Sequence, residues 1–267
     1  MRLDRYYSEI KKRYGIVTRA RGSFLYTQKN VRLTDLCQEG GRAILGWDAA
    51  AYTVFKNILS KGLAGSFETA HFGRLQKAAS DLFQSPRKIF LFSSKKAAME
   101  AALLLDANSA SVYKPFNGVD YSAVKNVVYA PPLPWTKNFW ILAARDFGQE
   151  KNCVAAARDF GQESVPISGE SFPPALLAAA ARATYDLIAA LKTRQEKEFF
   201  IYDKVLTKFF ERRACWLRPK IPQEKYDDFV LACLDAGVLV NPDYNADSLV
   251  PYGADRGVLK KMGEINV

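Results

Sequence analysis

Residues 88–107, KIFLFSSKKAAMEAALLLDA, set the frame for the whole chain. Lys88–Phe92 is almost wholly apolar and too short for a helix, which predicts a strand buried on both faces. A polar break follows at Ser93–Lys96. The alanines and leucines after it favour a helix. Strand, loop and helix in that order open a βα unit of a buried, mostly parallel sheet. Ser94, Lys95 and Lys96 stand at the junction. The first N–H groups of a helix are unpaired and lie at the positive end of its dipole, so they attract anions. Two lysines there oppose the dipole, at a cost of roughly a few tenths of a kcal/mol. That placement marks the three residues as a candidate loop for phosphate or a similar anion.

Upstream, a polar helical arm leads into GIVTRARGSFLYTQKNVRLTDLC, where SFLYT and VRLTDL read as strands joined by the turn Gln28-Lys29-Asn30. The glycine-rich EGGRAILGW follows, and residues 48–85 carry helical apolar stripes. Downstream, SVYKPF and NFWILAA are predicted strands, with APPLPW as a connector. AARDFGQE then occurs twice, at 143–150 and 156–163. Two copies cannot build a repeat architecture, so this reads as a local duplication. SFPPALLAAAARATYDLIAALKTRQEKEFF is expected to form one long helix with Ser171 as N-cap. The strand-like CWLRPKI, the helix EKYDDFVLACLDAG and the strand VLVNP complete the chain.

The sequence has 267 residues, 49% hydrophobic, with a formal charge of +10, enough apolar material for one large domain or two modest ones. The basic residues are spread along the chain beside acids and accompany no nucleic-acid-binding signature, so nucleic acid is not an expected partner. No uninterrupted apolar run reaches the roughly 18 residues of a membrane span, and no membrane association is expected. Cys37, Cys153, Cys215 and Cys233 are scattered without metal-ligand spacing, which predicts buried reduced thiols in a cytoplasmic protein and no metal. His71 is the single histidine, so any histidine-based catalytic scheme depends on it; beside Phe72 on a helix it reads as structural. The aromatics Trp135, Phe139 and Trp140 read as core.

Arg19–Trp47 is similar to the opening of the class III aminotransferases of the ornithine and acetylornithine type. Gly22, Leu25, Tyr26, Arg32, Leu33 and Asp35 stand in matching places, and Gly46-Trp47 stands where that family usually has Gly-His. KIFLFSSKKAAMEAALLLDA resembles the family's strand, phosphate loop and helix, with Ser94, Ala98, Glu100, Ala101 and Ala102 matching. Tyr226–Pro242 and Leu249–Gly257 look like the C-terminal small domain. The resemblance implies the fold of pyridoxal-phosphate (PLP)-dependent transferases, here in reduced form. It would be an α/β protein with a small α+β domain built from residues 1–50 and 195–267 and a truncated large α/β domain over 51–194. It also implies a homodimer, since the family places its active sites at a two-fold interface.

The departures bear on function. The family's phosphate-loop glycine is Lys95, the next position is Lys96, and its glutamate is Ala97. The family carries an Asp, in D-E-V-Q, that pairs with the cofactor's pyridine nitrogen, and a Lys that binds its aldehyde. Between Ala110 and Phe172 neither context occurs; Lys114, Lys125 and Lys137 lie in VYKPF, AVKNV and PWTKNF. The expectation is a non-catalytic relative with a binding or assembly role and no bound cofactor. One alternative is a residual PLP aminotransferase with a relocated lysine. The other is an anion- or nucleic-acid-binding module.

Overall fold

The computed structural model describes residues 1–135, 138–145 and 167–266. They form two compact units, one of residues 1–49, 116–118 and 193–267, the other of 50–115 and 119–192. The duplicated AARDFGQE segment, apart from Ala143–Arg145, lies outside the described residues, as do Cys153 and Lys137.

The first unit opens with helix α1 (Leu3–Tyr14), which buries Tyr6 and Ile10 and stops at Gly15, whose φ of 76° only glycine adopts at little cost. Strands β1 (Val17–Arg21), β2 (Phe24–Thr27) and β3 (Arg32–Asp35) form the expected antiparallel meander, with Asn30 at φ 60° in its second turn.

The second unit comprises α2 (Ala51–Leu59), α3 (Ala70–Leu82), β4 (Arg87–Phe92), α4 (Lys95–Leu105), β5 (Ala110–Val112), β6 (Asn126–Tyr129), β7 (Trp140–Arg145) and α5 (Pro174–Thr193). Its sheet runs β4-β7-β6-β5. Three of these strands point one way, and β7 runs antiparallel between β4 and β6. Of the two strands read as following the βα unit, β5 lies at the far end of the sheet from β4, while β7 is its neighbour. β6 was not anticipated, because NVVY is too short to separate from its surroundings by pattern. Alternate faces of β4 and β7 are both buried, and α4 packs on one side through Ala98, Ala101 and Ala102.

One buried cation organises this unit. Arg87 is 2% exposed, and its guanidinium donates to the carbonyls of Val124 (2.7 Å), Lys125 (2.8 Å) and Tyr121 (3.1 Å). The side chain thereby ties the start of β4 to the loop that feeds β6. Burial pushes its pKa down to about 10, and the nearby Arg145 adds to the shift.

The long helix expected over 171–200 breaks in two. Helix α5 begins at Pro174, whose missing N–H is no loss in a first turn, so Ser171 lies outside the helix and does not cap it. The helix buries ten of its positions, and Arg182 pairs with Asp186 at 2.9 Å along its side. It ends at Thr193, because Gln195 turns extended (φ −111°, ψ 154°) and the Glu198 carboxylate accepts the Gln195 N–H at 2.7 Å, starting a new helix.

That new helix, α6 (Glu196–Phe200), returns the chain to the first unit. There follow α7 (Asp203–Phe209), β8 (Phe210–Arg213), β9 (Trp216–Pro219), α8 (Tyr226–Asp235), β10 (Val238–Leu239) and β11 (Ser248–Leu249). Strand β10 joins the meander parallel to β3, and β11-β9-β8 form a second antiparallel sheet. Leu33, Phe210, Phe229, Val238 and Leu249, all fully buried, belong to the core that unites them. Cys215 and Cys233 are buried free thiols of this core, and burial raises the Cys215 pKa to about 12.

Candidate functional site

The site is built where β4 gives way to α4. Ser94 is extended (φ −137°, ψ 148°) and caps the helix, its hydroxyl accepting the Ala97 N–H at 3.1 Å. The Lys95 ammonium lies 5.9 Å from the centroid of the Trp140 ring, and the Lys96 ammonium lies 3.8 Å from the Glu100 carboxylate one turn on. The three expected anion ligands are therefore neighbours in the chain, but each has a local partner within its own unit.

A fourth residue, absent from the sequence reading, occupies this place. One carboxylate oxygen of Glu170 accepts both the Ser93 N–H at 2.8 Å and the Ser93 hydroxyl at 2.9 Å. The Glu170 N–H donates in turn to the Leu91 carbonyl at 2.8 Å. Strand β4 ends its sheet, so residues 169–170 cover an edge that would otherwise be open. Gly169 permits the approach: a Cβ there would lie 3.0 Å from the Leu91 nitrogen. A cavity of about 760 Å³ opens beside Glu170, with Phe67 and Glu68 from the segment before α3, Phe72 from its first turn and Phe172 in its wall. The contact spans 77 residues of sequence, and no local signal marks Glu170.

Of the three lysines weighed for the cofactor aldehyde, the two described ones, Lys114 and Lys125, stand apart from the α4 start. Lys125 pairs at 2.9 Å with Asp106, which directly follows α4, so it sits at the opposite end of a helix about 16 Å long. Lys114 is exposed beyond the end of β5, three strand spacings or about 14 Å from β4. At the corresponding end of β6, Tyr129 is fully buried, and burial raises its pKa. Pro131, Pro132 and Leu133 follow, all buried. Phe139, before β7, stacks edge-on against Phe172 at 4.8 Å. Away from the α4 start, the described residues at the ends of β6 and β7 offer aromatic and aliphatic surface where PLP needs an amine and a carboxylate. At this end of β6 and β7 the described residues supply neither group; Lys137 and residues 146–166 lie outside them.

The other aromatics divide. Trp135 is 43% exposed and meets Phe55 edge-on at 4.5 Å, so it is a surface residue and not the core residue expected, whereas Phe139 is buried. His71, the second residue of α3, has a buried Nδ1 without a partner; burial, then the charges of Arg74 and Lys61, push its pKa down. Among the described residues no group of three histidines, cysteines or carboxylates could hold a metal.

In the first unit the glycine-rich loop is tied by Asp35. Its Oδ1 accepts the N–H groups of Cys37 and Gln38, both at 2.9 Å, and its Oδ2 accepts the indole N–H of Trp47 at 2.9 Å. Trp47, standing where a Gly-His pair was the comparison, thus serves as a donor that closes the loop over a buried carboxylate. Ile44 is 4% exposed and belongs to the core of this unit, while Leu45 is half-buried against it.

No family model matches the chain. An uncharacterized protein of Treponema pallidum (strain Nichols) is 28% identical over 294 residues, covering 93% of each chain. Among solved structures, the acetylornithine aminotransferase of Elizabethkingia anophelis superposes with a TM-score of 0.64 at 13% identity, covering 99% of both chains. An ornithine aminotransferase of Plasmodium yoelii gives 0.64 at 11% identity, over 98% of this chain and 97% of that one. A serine palmitoyltransferase of S. paucimobilis with bound PLP gives 0.62 at 10% identity, over 98% and 95%. At such identities the likeness is one of fold: this is a mixed α/β protein with the architecture of PLP-dependent transferases, in a form consistent with reduction of the sheet domain.

Proposed function

We propose that this chain is an aminotransferase-like protein that acts by binding or assembly and not by PLP chemistry. The closed start of α4 carries the reading. Glu170 takes the Ser93 N–H and hydroxyl, and Ser94 spends its own hydroxyl on Ala97. A cofactor phosphate brought to this helix end would meet a carboxylate already in place, and like charges so close repel. The partners of Lys125 and the remoteness of Lys114 support the same reading.

Purified protein mixed with PLP, reduced with borohydride and digested tests it. The expected result is no protein-bound visible absorbance after desalting of the unreduced mixture and, after reduction, no single lysine modified stoichiometrically above the scattered labelling of surface lysines, as read by mass spectrometry. A stoichiometric modified lysine would overturn the reading in favour of a working enzyme with a relocated lysine, for which Lys137 is a candidate outside the described residues. A homodimer and a cytoplasmic location, both implied at the level of sequence, belong to the same proposal.

A further inference from the structure

The first unit contains a second cavity, of about 650 Å³, between the segment 197–204 and the turn 252–256. That volume lies within the range of about 300–1,000 Å³ that small-molecule sites occupy. Its apolar wall is made by Phe200, which is 56% exposed, with Ile201 and Tyr252. Phe200 thus presents apolar contact surface at the mouth of this cavity.

The charges around this wall are unequally committed. Glu198 accepts the Gln195 N–H with one oxygen and the Tyr252 hydroxyl, at 3.1 Å, with the other. Asp203 uses both oxygens on the Arg212 guanidinium. Lys197, Lys204 and Arg256 also line the cavity, are exposed, and form no salt bridge or hydrogen bond among the described residues. The cavity is therefore rimmed by three unspent cations, with its two carboxylates already satisfied.

The walls are also fixed in place. The Tyr202 hydroxyl donates to the Ala254 carbonyl, joining the two sides at the base. The Arg194 guanidinium lies 3.8 Å from the Tyr252 ring centroid and donates to the Ile44 carbonyl at 2.8 Å, so Tyr252 is clamped at its face and at its hydroxyl. A preformed wall lowers the ordering cost of binding.

We propose that this cavity binds an organic anion: a flat apolar body lying on Phe200 and Tyr252, with its phosphate, sulfonate or carboxylate group held by Lys197, Lys204 and Arg256. The site does not involve α4, so its failure would leave the reading of the cofactor position untouched.

Isothermal titration of the full chain with 1-naphthyl phosphate tests the proposal, with 1-naphthoate and neutral 1-naphthol as companions. The expected result is one-to-one binding of the phosphate, weaker binding of the carboxylate, and none of the neutral compound. The triple variant Lys197→Ala/Lys204→Ala/Arg256→Ala should lose about tenfold in affinity, as three exposed ionic contacts would predict. Lys11→Ala/Lys12→Ala, two exposed lysines of α1 away from the cavity, should bind like wild type. Phe200→Ala should weaken both anions, and added salt should weaken both in wild type. These last two readings suffice should the triple variant fail to fold. Absence of binding at millimolar probe, equal binding of 1-naphthol, or affinity unchanged in both the triple variant and Phe200→Ala would overturn it.

Discussion

Glu170 and Ser93 meet through a single carboxylate oxygen that accepts two hydrogen bonds, 2.8 Å from the backbone nitrogen and 2.9 Å from the hydroxyl. The carboxylate acts as the chain's own anion at the entrance to α4. In the Lys197→Ala/Lys204→Ala/Arg256→Ala background, which lacks the proposed anion site of the first unit, phosphate and chloride at equal ionic strength are expected to shift the melting temperature equally, with every further substitution made in that background. Glu170→Ala should free the Ser93 donors, so that phosphate stabilises more than chloride by binding the folded state alone. Adding Lys95→Ala/Lys96→Ala should remove that difference. A larger phosphate effect already present in that background with Glu170 intact would contradict closure by Glu170.

Arg87 is a buried cation whose partners are carbonyls. Arg87→Met would leave the carbonyls of Tyr121, Val124 and Lys125 without that donor, at an expected cost of about 2–5 kcal/mol. Arg87→Lys should recover only part of this, since an ammonium cannot reproduce the planar fork. Urea denaturation of the two variants measures the difference; equal stability of Lys and wild type would show that charge alone is needed.

Asp35 is wholly buried, and desolvation raises its pKa against the pull of its three donors. The folded state then holds the Asp35 proton to higher pH than the unfolded chain does, for which the value is about 3.9. Between the two values the folded state binds more protons, so this group's contribution to stability falls as pH rises through that window and stays lost above it. Asp35→Asn should remove that downward slope, seen as the wild-type-minus-variant stability across the acid range. At neutral pH the variant should still be less stable by about 1–3 kcal/mol, because an amide cannot accept from both the backbone and the Trp47 indole. Asp35→Asn/Trp47→Phe should regain part of that loss; a double variant no better than the single would separate the Trp47 contact from the stability of the loop.

Ile44 and Leu45 test assembly differently. Ile44→Asp places a charge in the core of the first unit and should abolish soluble expression whatever the oligomeric state. Leu45→Asp, at a half-buried position, is the informative variant: light scattering behind a sizing column should show a wild-type dimer and a folded Leu45→Asp monomer. A wild-type monomer at tens of micromolar would end the homodimer proposal.

Local chemistry was legible where neighbours in sequence decide the outcome. The apolar run of β4, the turn at Asn30 and the alanine-rich α4 all follow from short-range patterns. The same rules misjudged the stretch at 171–200. Its composition favours continuous helix, and only the Gln195–Glu198 contact restarts it as a new helix beyond the break.

What the sequence by itself determined is the order of most elements, β6 excepted, and the likeness of their pattern to a transferase fold. What only the tertiary structure decided is which distant groups meet. Glu170 reaches Ser93 across 77 residues, Arg87 gathers carbonyls from a loop 34 to 38 residues away, and Arg194 lies over Tyr252. A hydrogen bond between groups far apart in sequence leaves no periodic trace in the chain. Its energy depends on ångström-scale placement by the packed core, so it becomes visible only once the core has formed.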